Sequence, residues 1–323
     1  MNFVQEMAPS RPNFFLVGAP KAGTTSLYHY LNQHPQIYMS PVKEPCYFAS
    51  EVRLEHFSPE FEASARKTSR QLSEYLAGPM SGADPGGIVE DWEDYLTLFK
   101  NVTSETAIGE ASVCYLWSPT AAANIRSRIP AAKIFMILRD PAERAFSQYL
   151  HYAADGLVKW PFRKQIESSA RNTRRGFNTL YPFLEYGLYY EQVKVYLDLF
   201  PSAHVRIYLY EESWNDPQRF LNAIFEYLNV DAGFRTDFSR KSLQRQAPKS
   251  LTGRHTLRKS GITPRLKALT PPTIWEGARK CFLKSRRSLL MDPTDRTYLC
   301  DYYRDDLRKL SFLLDRDLGA WLK

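Results

Sequence analysis

No run of apolar residues in this chain approaches the roughly 20 that a membrane-spanning helix requires, so no integral membrane segment is expected. The opening residues, MNFVQEMAPSRP, lack the apolar stretch at the centre of a secretory leader, and residues 1–12 read as a tail. Cysteine is scarce. The four present, Cys46, Cys114, Cys281 and Cys300, are far apart in sequence and show no C-x-x-C spacing. With no leader, the expectation is a cytoplasmic protein whose thiols are reduced. Histidine, Cys and Asp form no compact cluster with metal-ligand spacing, so no metal is expected. There is no internal repeat and no low-complexity tract. The hydrophobic (44%) and charged (24%) shares of the 323 residues are those of a globular protein.

Positive charge is present in excess, and unevenly. The formal net charge is +8, yet fifteen Lys/Arg face only two Asp/Glu between Arg235 and Arg287. Such a stretch suits nucleic acid, an anionic lipid surface, a polyanionic sugar or a multiply charged nucleotide, and equally a solvated basic surface. Aromatics in and beside it are sparse (Phe234, Phe238, Trp275, Phe282), which weakens a base-stacking groove, and no nucleic-acid partner is expected. Prolines 248, 264, 271 and 272 make much of it loop. It reads as a basic insertion, 235–287, inside one domain covering 1–323.

Elsewhere, strand and helix patterns alternate. The fold class is therefore α/β, with a central parallel sheet flanked by helices. Phe14 to Val17 reads as a buried strand, followed by a helix from Thr24 to about His34. A short segment follows near Ile37–Met39, and further strands are expected at Thr106–Glu110, Lys133–Leu138 and Val205–Tyr210. Helices are expected at Trp92–Phe99 behind an Asp91 cap, at Pro119–Ile129, and from Pro141 onward. Others fall at Pro161–Arg171, Gly187–Phe200, Pro217–Leu228 and Thr294–Leu314. Arg53–Gly87 has no clear pattern.

The turn between the first strand and helix is Gly18-Ala-Pro-Lys-Ala-Gly23, followed by Thr24, Thr25 and Ser26. Such a turn aims backbone N–H groups and the positive end of a helix at one point, a place for a phosphate. A Walker loop has lysine directly after its second glycine. Here that place is Thr24, and the loop's lysine is Lys21, so a P-loop-like turn is present without the kinase lysine. The alternative is an ordinary strand-to-helix turn with helix-capping threonines. A second anion site is expected where Arg139 ends the Lys133–Leu138 strand and Ser147 lies two helical turns on. Taken alone, Arg139 in a surface salt bridge and a solvent-facing Ser147 explain that pair as well.

Together these segments resemble the sulfotransferases that use 3′-phosphoadenosine-5′-phosphosulfate (PAPS). G-x-x-K-x-G-T-[TS] is similar to their 5′-phosphosulfate loop, and LRDPAERAFSQY to their 3′-phosphate segment. Lys43-Glu-Pro-Cys-Tyr-Phe48, Gly109-Glu-Ala-Ser112, Arg296–Tyr303 and Asp317–Trp321 extend the likeness to nearly the whole chain. It is nearest to the branch containing heparan sulfate N- and O-sulfotransferases and bacterial sulfotransferase-domain proteins. The resemblance implies that Lys21, Ala22, Gly23, Thr24, Thr25 and Ser26 hold the 5′-phosphosulfate and that Arg139 and Ser147 grip the 3′-phosphate. It implies Glu44 as the general base and places His151, one turn past Ser147, near the reacting group. The product would be 3′,5′-bisphosphoadenosine.

The chemistry suits those residues. Sulfuryl transfer builds negative charge on the bridging oxygen of a leaving phosphate, which a cation such as Lys21 offsets without a metal. The acceptor must lose a proton, which calls for a base. The plainer alternatives are a surface Lys-Glu pair for Glu44 and a structural histidine for His151. Relatives carry lysine where this chain has Ala111. Glu110 and Ser112, beside it, are expected to line the cleft. Two other functions compete: a small-molecule kinase, and a non-enzymatic polyanion binder using 235–287. The acceptor, a hydroxyl or amine of a carbohydrate, lipid or small molecule, is not legible, nor is the oligomeric state. The aromatic stretch from Phe177 to Tyr190 suits an acceptor cleft or core packing equally.

Overall fold

The computed structural model describes residues 10–56, 59–158, 160–170, 183–239 and 290–323, together with the short strands 247–248 and 283–284. The chain opens with β1 (Phe14–Leu16), α1 (Thr24–Leu31) and β2 (Ile37–Met39), then α2 (Pro59–Ala77) and α3 (Trp92–Thr97). Next come β3 (Ala107–Ala111), α4 (Cys114–Trp117), α5 (Ala121–Arg128) and β4 (Lys133–Leu138). These are followed by α6 (Pro141–Ala154), α7 (Phe162–Ala170), α8 (Tyr189–Leu199), β5 (Val205–Leu209), α9 (Tyr210–Ser213) and α10 (Pro217–Leu228). After the antiparallel pair β6 (Ala247–Pro248) and β7 (Leu283–Lys284), helix α11 runs over Pro293–Leu314.

The fold is α/β: five parallel strands in the order β2-β3-β1-β4-β5, flanked by helices. The two most apolar segments, β1 and β4, lie side by side at the centre because both of their faces are covered. Asp91 caps α3 as expected, accepting from the amides of Glu93 and Asp94. The same device, aspartate followed by proline, opens α6 (Asp140), α10 (Asp216) and α11 (Asp292). The unpatterned stretch is largely the 19-residue α2. It is rich in helix-forming Ala, Glu and Arg, and among its described side chains Leu72 and Leu76, one turn apart, are buried. Expected element ends differ from these by one to three residues, as helix and strand ends fray. Among the described residues no helix is long and apolar enough to cross a membrane.

The described residues cluster into two compact units: 10–139 with 191–239, and 140–170 with 183–190 and 290–323. The first holds the whole sheet. In it Gly109 of β3 faces Phe14 of β1, and a Cβ at Gly109 would lie 2.2 Å from the Phe14 ring. That ring stacks on Phe135 of β4 at 5.8 Å, so it has no room to withdraw. Gly109→Ala should therefore cost about 1–3 kcal/mol and lower Tm by several degrees; an unchanged thermal melt would show that the sheet can yield there. In the second unit, Arg296 of α11 grips the Asp140 carboxylate with two nitrogens, each at 2.7 Å. The same guanidinium donates to the carbonyls of Trp321 (3.1 Å) and Lys323 (2.9 Å). The C-terminal residues thus hold the start of α6 in place. Arg163 of α7 adds a 2.7 Å ion pair to Asp295.

Candidate active site

The loop after β1 stays on β4 before it turns. Val17 and Ala19 donate to the carbonyls of Phe135 (3.1 Å) and Ile137 (2.8 Å), and Ile137 donates to the Gly18 carbonyl (2.8 Å). The turn then needs two left-handed residues, Lys21 at φ 67° and Gly23 at φ 83°. A non-glycine residue held there is strained, and such strain concentrates at functional sites. Gly23 is the N-cap of α1 and, being glycine, offers it no side-chain cap. The threonines are therefore not caps, and the first turn presents its backbone to the turn's concave side. A Cβ at Gly23 would fall 2.8 Å from the Trp214 indole nitrogen, so the backbone conformation and the space both require glycine.

Arg139 is the first residue beyond β4. It is buried, not on the surface, and its Nη1 donates to the Lys21 carbonyl at 2.8 Å. Its guanidinium lies over the Tyr210 ring, 4.6 Å from the centroid. Lys21 and Arg139 thus meet at the carboxyl ends of β1 and β4. From β1 the chain goes on to β2 in one direction along the strand order and from β4 to β5 in the other, the reversal at which parallel sheets open a ligand crevice.

Glu44 is fixed to the end of β3, the other neighbour of β1. Its amide donates to the Ala111 carbonyl at 3.0 Å, and its Oε2 accepts from the Val113 amide at 2.7 Å. Lys43 Nζ pairs with Oε1. The pairing with Lys43 anticipated for a surface dipeptide is present, but the backbone holds the carboxylate as well. The loop pays for this with left-handed conformations at Glu44 (φ 64°) and Cys46 (φ 56°). The β3 end is tied in turn to β1 and its loop: Ser112 donates to the Leu16 carbonyl at 3.2 Å, and Leu116 to that of Val17 at 2.8 Å.

Glu110 and Ser112 do not line a cleft. Both are fully buried beneath the Glu44 loop. Burial pushes the Glu110 carboxyl up to about 8, and the Glu44 charge adds to this, although the Tyr115, Ser112 and Tyr95 hydroxyls act the other way. Cys46 and Cys114, far apart in sequence, meet here: the Cys114 thiol donates to Cys46 Sγ at 3.1 Å, and both are free. Nothing in their spacing signals this contact, because it depends on how the β2–α2 loop folds over β3.

Ser147 and His151 belong to the second unit, both on α6. Ser147 is buried, not solvent-facing. His151 is exposed and lies 3.8 Å from the Asp155 carboxylate, one turn on. Arg144, on the same helix, is wholly buried and donates to Gln148 Oε1 at 2.6 Å. Nearly all of the basic stretch 235–287, and Phe177 to Pro182 of the aromatic stretch, lie outside the described residues. A cavity of 410 Å³ lined by Tyr28, Asn32, His34, Tyr38 and Glu105 sits at the far end of α1 from the loop. Among the described residues no group of His, Cys, Asp and Glu is arranged to hold a metal.

Known proteins share this fold and sequence. A solved sulfotransferase from Alicyclobacillus acidocaldarius superposes with a TM-score of 0.70 at 30% identity, covering 97% of this chain and all of that one. Human bifunctional heparan sulfate N-deacetylase/N-sulfotransferase 3 is 26% identical over 97% of this chain, and rat carbohydrate sulfotransferase 15 is 22% identical over 96%. The chain spans only 31% and 54% of those two proteins, so each has a large part with no counterpart here. The model described as "Sulfotransferase family" matches residues 12–234, which include the loop after β1, the Glu44 turn and the end of β4. The chain belongs to the sulfotransferase family.

Proposed function

We propose that the chain transfers a sulfuryl group from PAPS to a hydroxyl or amine of a carbohydrate, lipid or small-molecule acceptor. The observation that carries this reading is the loop after β1: it has no lysine behind its second glycine, and Arg139 holds its backbone at Lys21. A backbone cradle where glycine alone fits, opening a helix whose N-cap is that glycine, suits a 5′-phosphate. Arg139, at the end of the neighbouring strand, suits the 3′-phosphate of the same nucleotide.

In this reading the acceptor oxygen or nitrogen forms a bond to sulfur. The bond from sulfur to the 5′-phosphate oxygen breaks, and its electron pair stays on that oxygen. Lys21 offsets the charge growing there. Glu44 takes the proton that the acceptor loses. The products are the sulfated acceptor and 3′,5′-bisphosphoadenosine. For Ser147 on the 3′-phosphate, and for His151 beside the sulfuryl group, the proposal rests on the family resemblance. We also propose one sulfotransferase domain over 1–323 and a cytoplasmic setting, the latter tested by fractionating the native source. Titration calorimetry tests the donor: 3′,5′-bisphosphoadenosine should bind at least tenfold tighter than ADP. Equal binding of the two, or a magnesium-dependent preference for ADP, would favour a kinase.

A further inference from the structure

The loop that carries Glu44 is fastened to a carboxyl group that the reaction above does not use. Glu110 Oε2 accepts from Ser112 Oγ at 3.3 Å, and the same Oγ accepts from the Cys46 amide at 3.1 Å. That amide lies two residues past Glu44, in the turn where Glu44 and Cys46 are both left-handed. Glu110 Oε1 and the Tyr95 hydroxyl are buried without a well-formed hydrogen bond. The carboxyl therefore reaches the turn at Cys46 through the serine, while the Tyr115 hydroxyl, which also acts on it, accepts from the Phe48 amide at 3.2 Å.

The groups facing Glu110 are Glu44 from the loop, Tyr95 from α3, Cys114 and Tyr115 from α4, and Tyr196 from α8. None carries a positive charge, and the Tyr115, Ser112 and Tyr95 hydroxyls offset only part of the cost of burying a negative one. Desolvation then keeps the buried carboxyl protonated, with the pKa near 8 given above.

We propose that Glu110 is a positioning residue for the base: through Ser112 and the Cys46 amide it fixes the turn at residues 44–46 and so the Glu44 carboxylate. The proposal rests on the sulfuryl-transfer reading of Glu44. A carboxyl in this place makes the turn sensitive to its own ionisation. The ionised form is buried beside Glu44 with one oxygen unsatisfied, and the cheapest relief is to lift the loop that covers it. Glu44 then leaves the Val113 amide, and transfer slows.

The test measures kcat and donor KM from about pH 6 to about pH 9.5 in wild type, Glu110→Gln, Glu110→Ala and Ser112→Ala. Wild type should lose activity about tenfold per unit above roughly pH 8. Glu110→Gln cannot ionise and still offers Ser112 an acceptor; it should keep kcat within about threefold at neutral pH and show no alkaline fall. Glu110→Ala and Ser112→Ala should each lower kcat about tenfold or more, with donor KM within about twofold. An alkaline fall that persists in Glu110→Gln, or near-normal kcat in both alanine variants, overturns the proposal.

Thermal melts give a readout independent of activity. The folded state holds a proton that the unfolded chain releases near pH 4.5, so wild type loses stability as pH rises from there toward about 8. The Tm of Glu110→Gln relative to wild type should therefore climb across that range, and a flat difference contradicts the proposal. If wild type transfers no sulfuryl group at any pH, it is the reaction reading that fails, and the melts still report on Glu110.

Discussion

Glu44→Gln should lower kcat by about 10²–10⁴-fold while leaving the affinity for 3′,5′-bisphosphoadenosine within about twofold of wild type. The amide is the same size as the carboxylate and can still accept from the Val113 amide, a bond of 2.7 Å in the native protein. The turn should therefore survive, because its other ties run through the Glu44 amide to the Ala111 carbonyl and through the Cys46 amide to Ser112. What the amide cannot do is take a proton from the acceptor. Single-turnover kinetics with radiolabelled PAPS, set beside calorimetry with the product nucleotide, separates the two effects. Near-normal kcat in Glu44→Gln would remove the base assignment and leave Glu44 as a loop anchor.

The second large effect is expected at Lys21. Lys21→Ala should reduce kcat by about 10²–10³-fold, the usual consequence of removing a charge aimed at a developing oxyanion. The backbone of this residue is held from outside by Arg139 Nη1 at its carbonyl, which does not depend on the side chain. Its left-handed conformation is strained for lysine and for alanine alike, so the loop should keep its shape. Lys21→Arg should recover part of the loss by restoring charge without the point geometry of an ammonium. If alanine weakens nucleotide binding but leaves kcat unchanged at saturation, Lys21 only binds the ground state and the leaving-group role is wrong.

The loop after β1 and the end of β4 were legible in the sequence because their determinants are local. Phe14 to Ser26 encodes a buried strand, a glycine turn and a helix start within thirteen consecutive residues. Arg139 follows a strand whose apolar run leaves little doubt about where it ends. The Asp-Pro pairs at 140, 216 and 292 mark three helix starts because cap and first helical residue are adjacent in sequence. The features that escaped are long-range. The contact between Cys46 and Cys114, and the burial of Glu110 and Ser112, exist because one loop folds over the end of a strand more than sixty residues on. Helix α2 escaped for a different reason: its sequence is mostly polar, so it carries helix propensity without a broad apolar stripe.

The most direct measurement is the structure of the chain with 3′,5′-bisphosphoadenosine bound. The account predicts the 5′-phosphate against the backbone of Gly23 to Ser26, with Lys21 beside it, and the 3′-phosphate on Arg139. A nucleotide bound away from the loop after β1, or turned so that Arg139 touches neither phosphate, would contradict it.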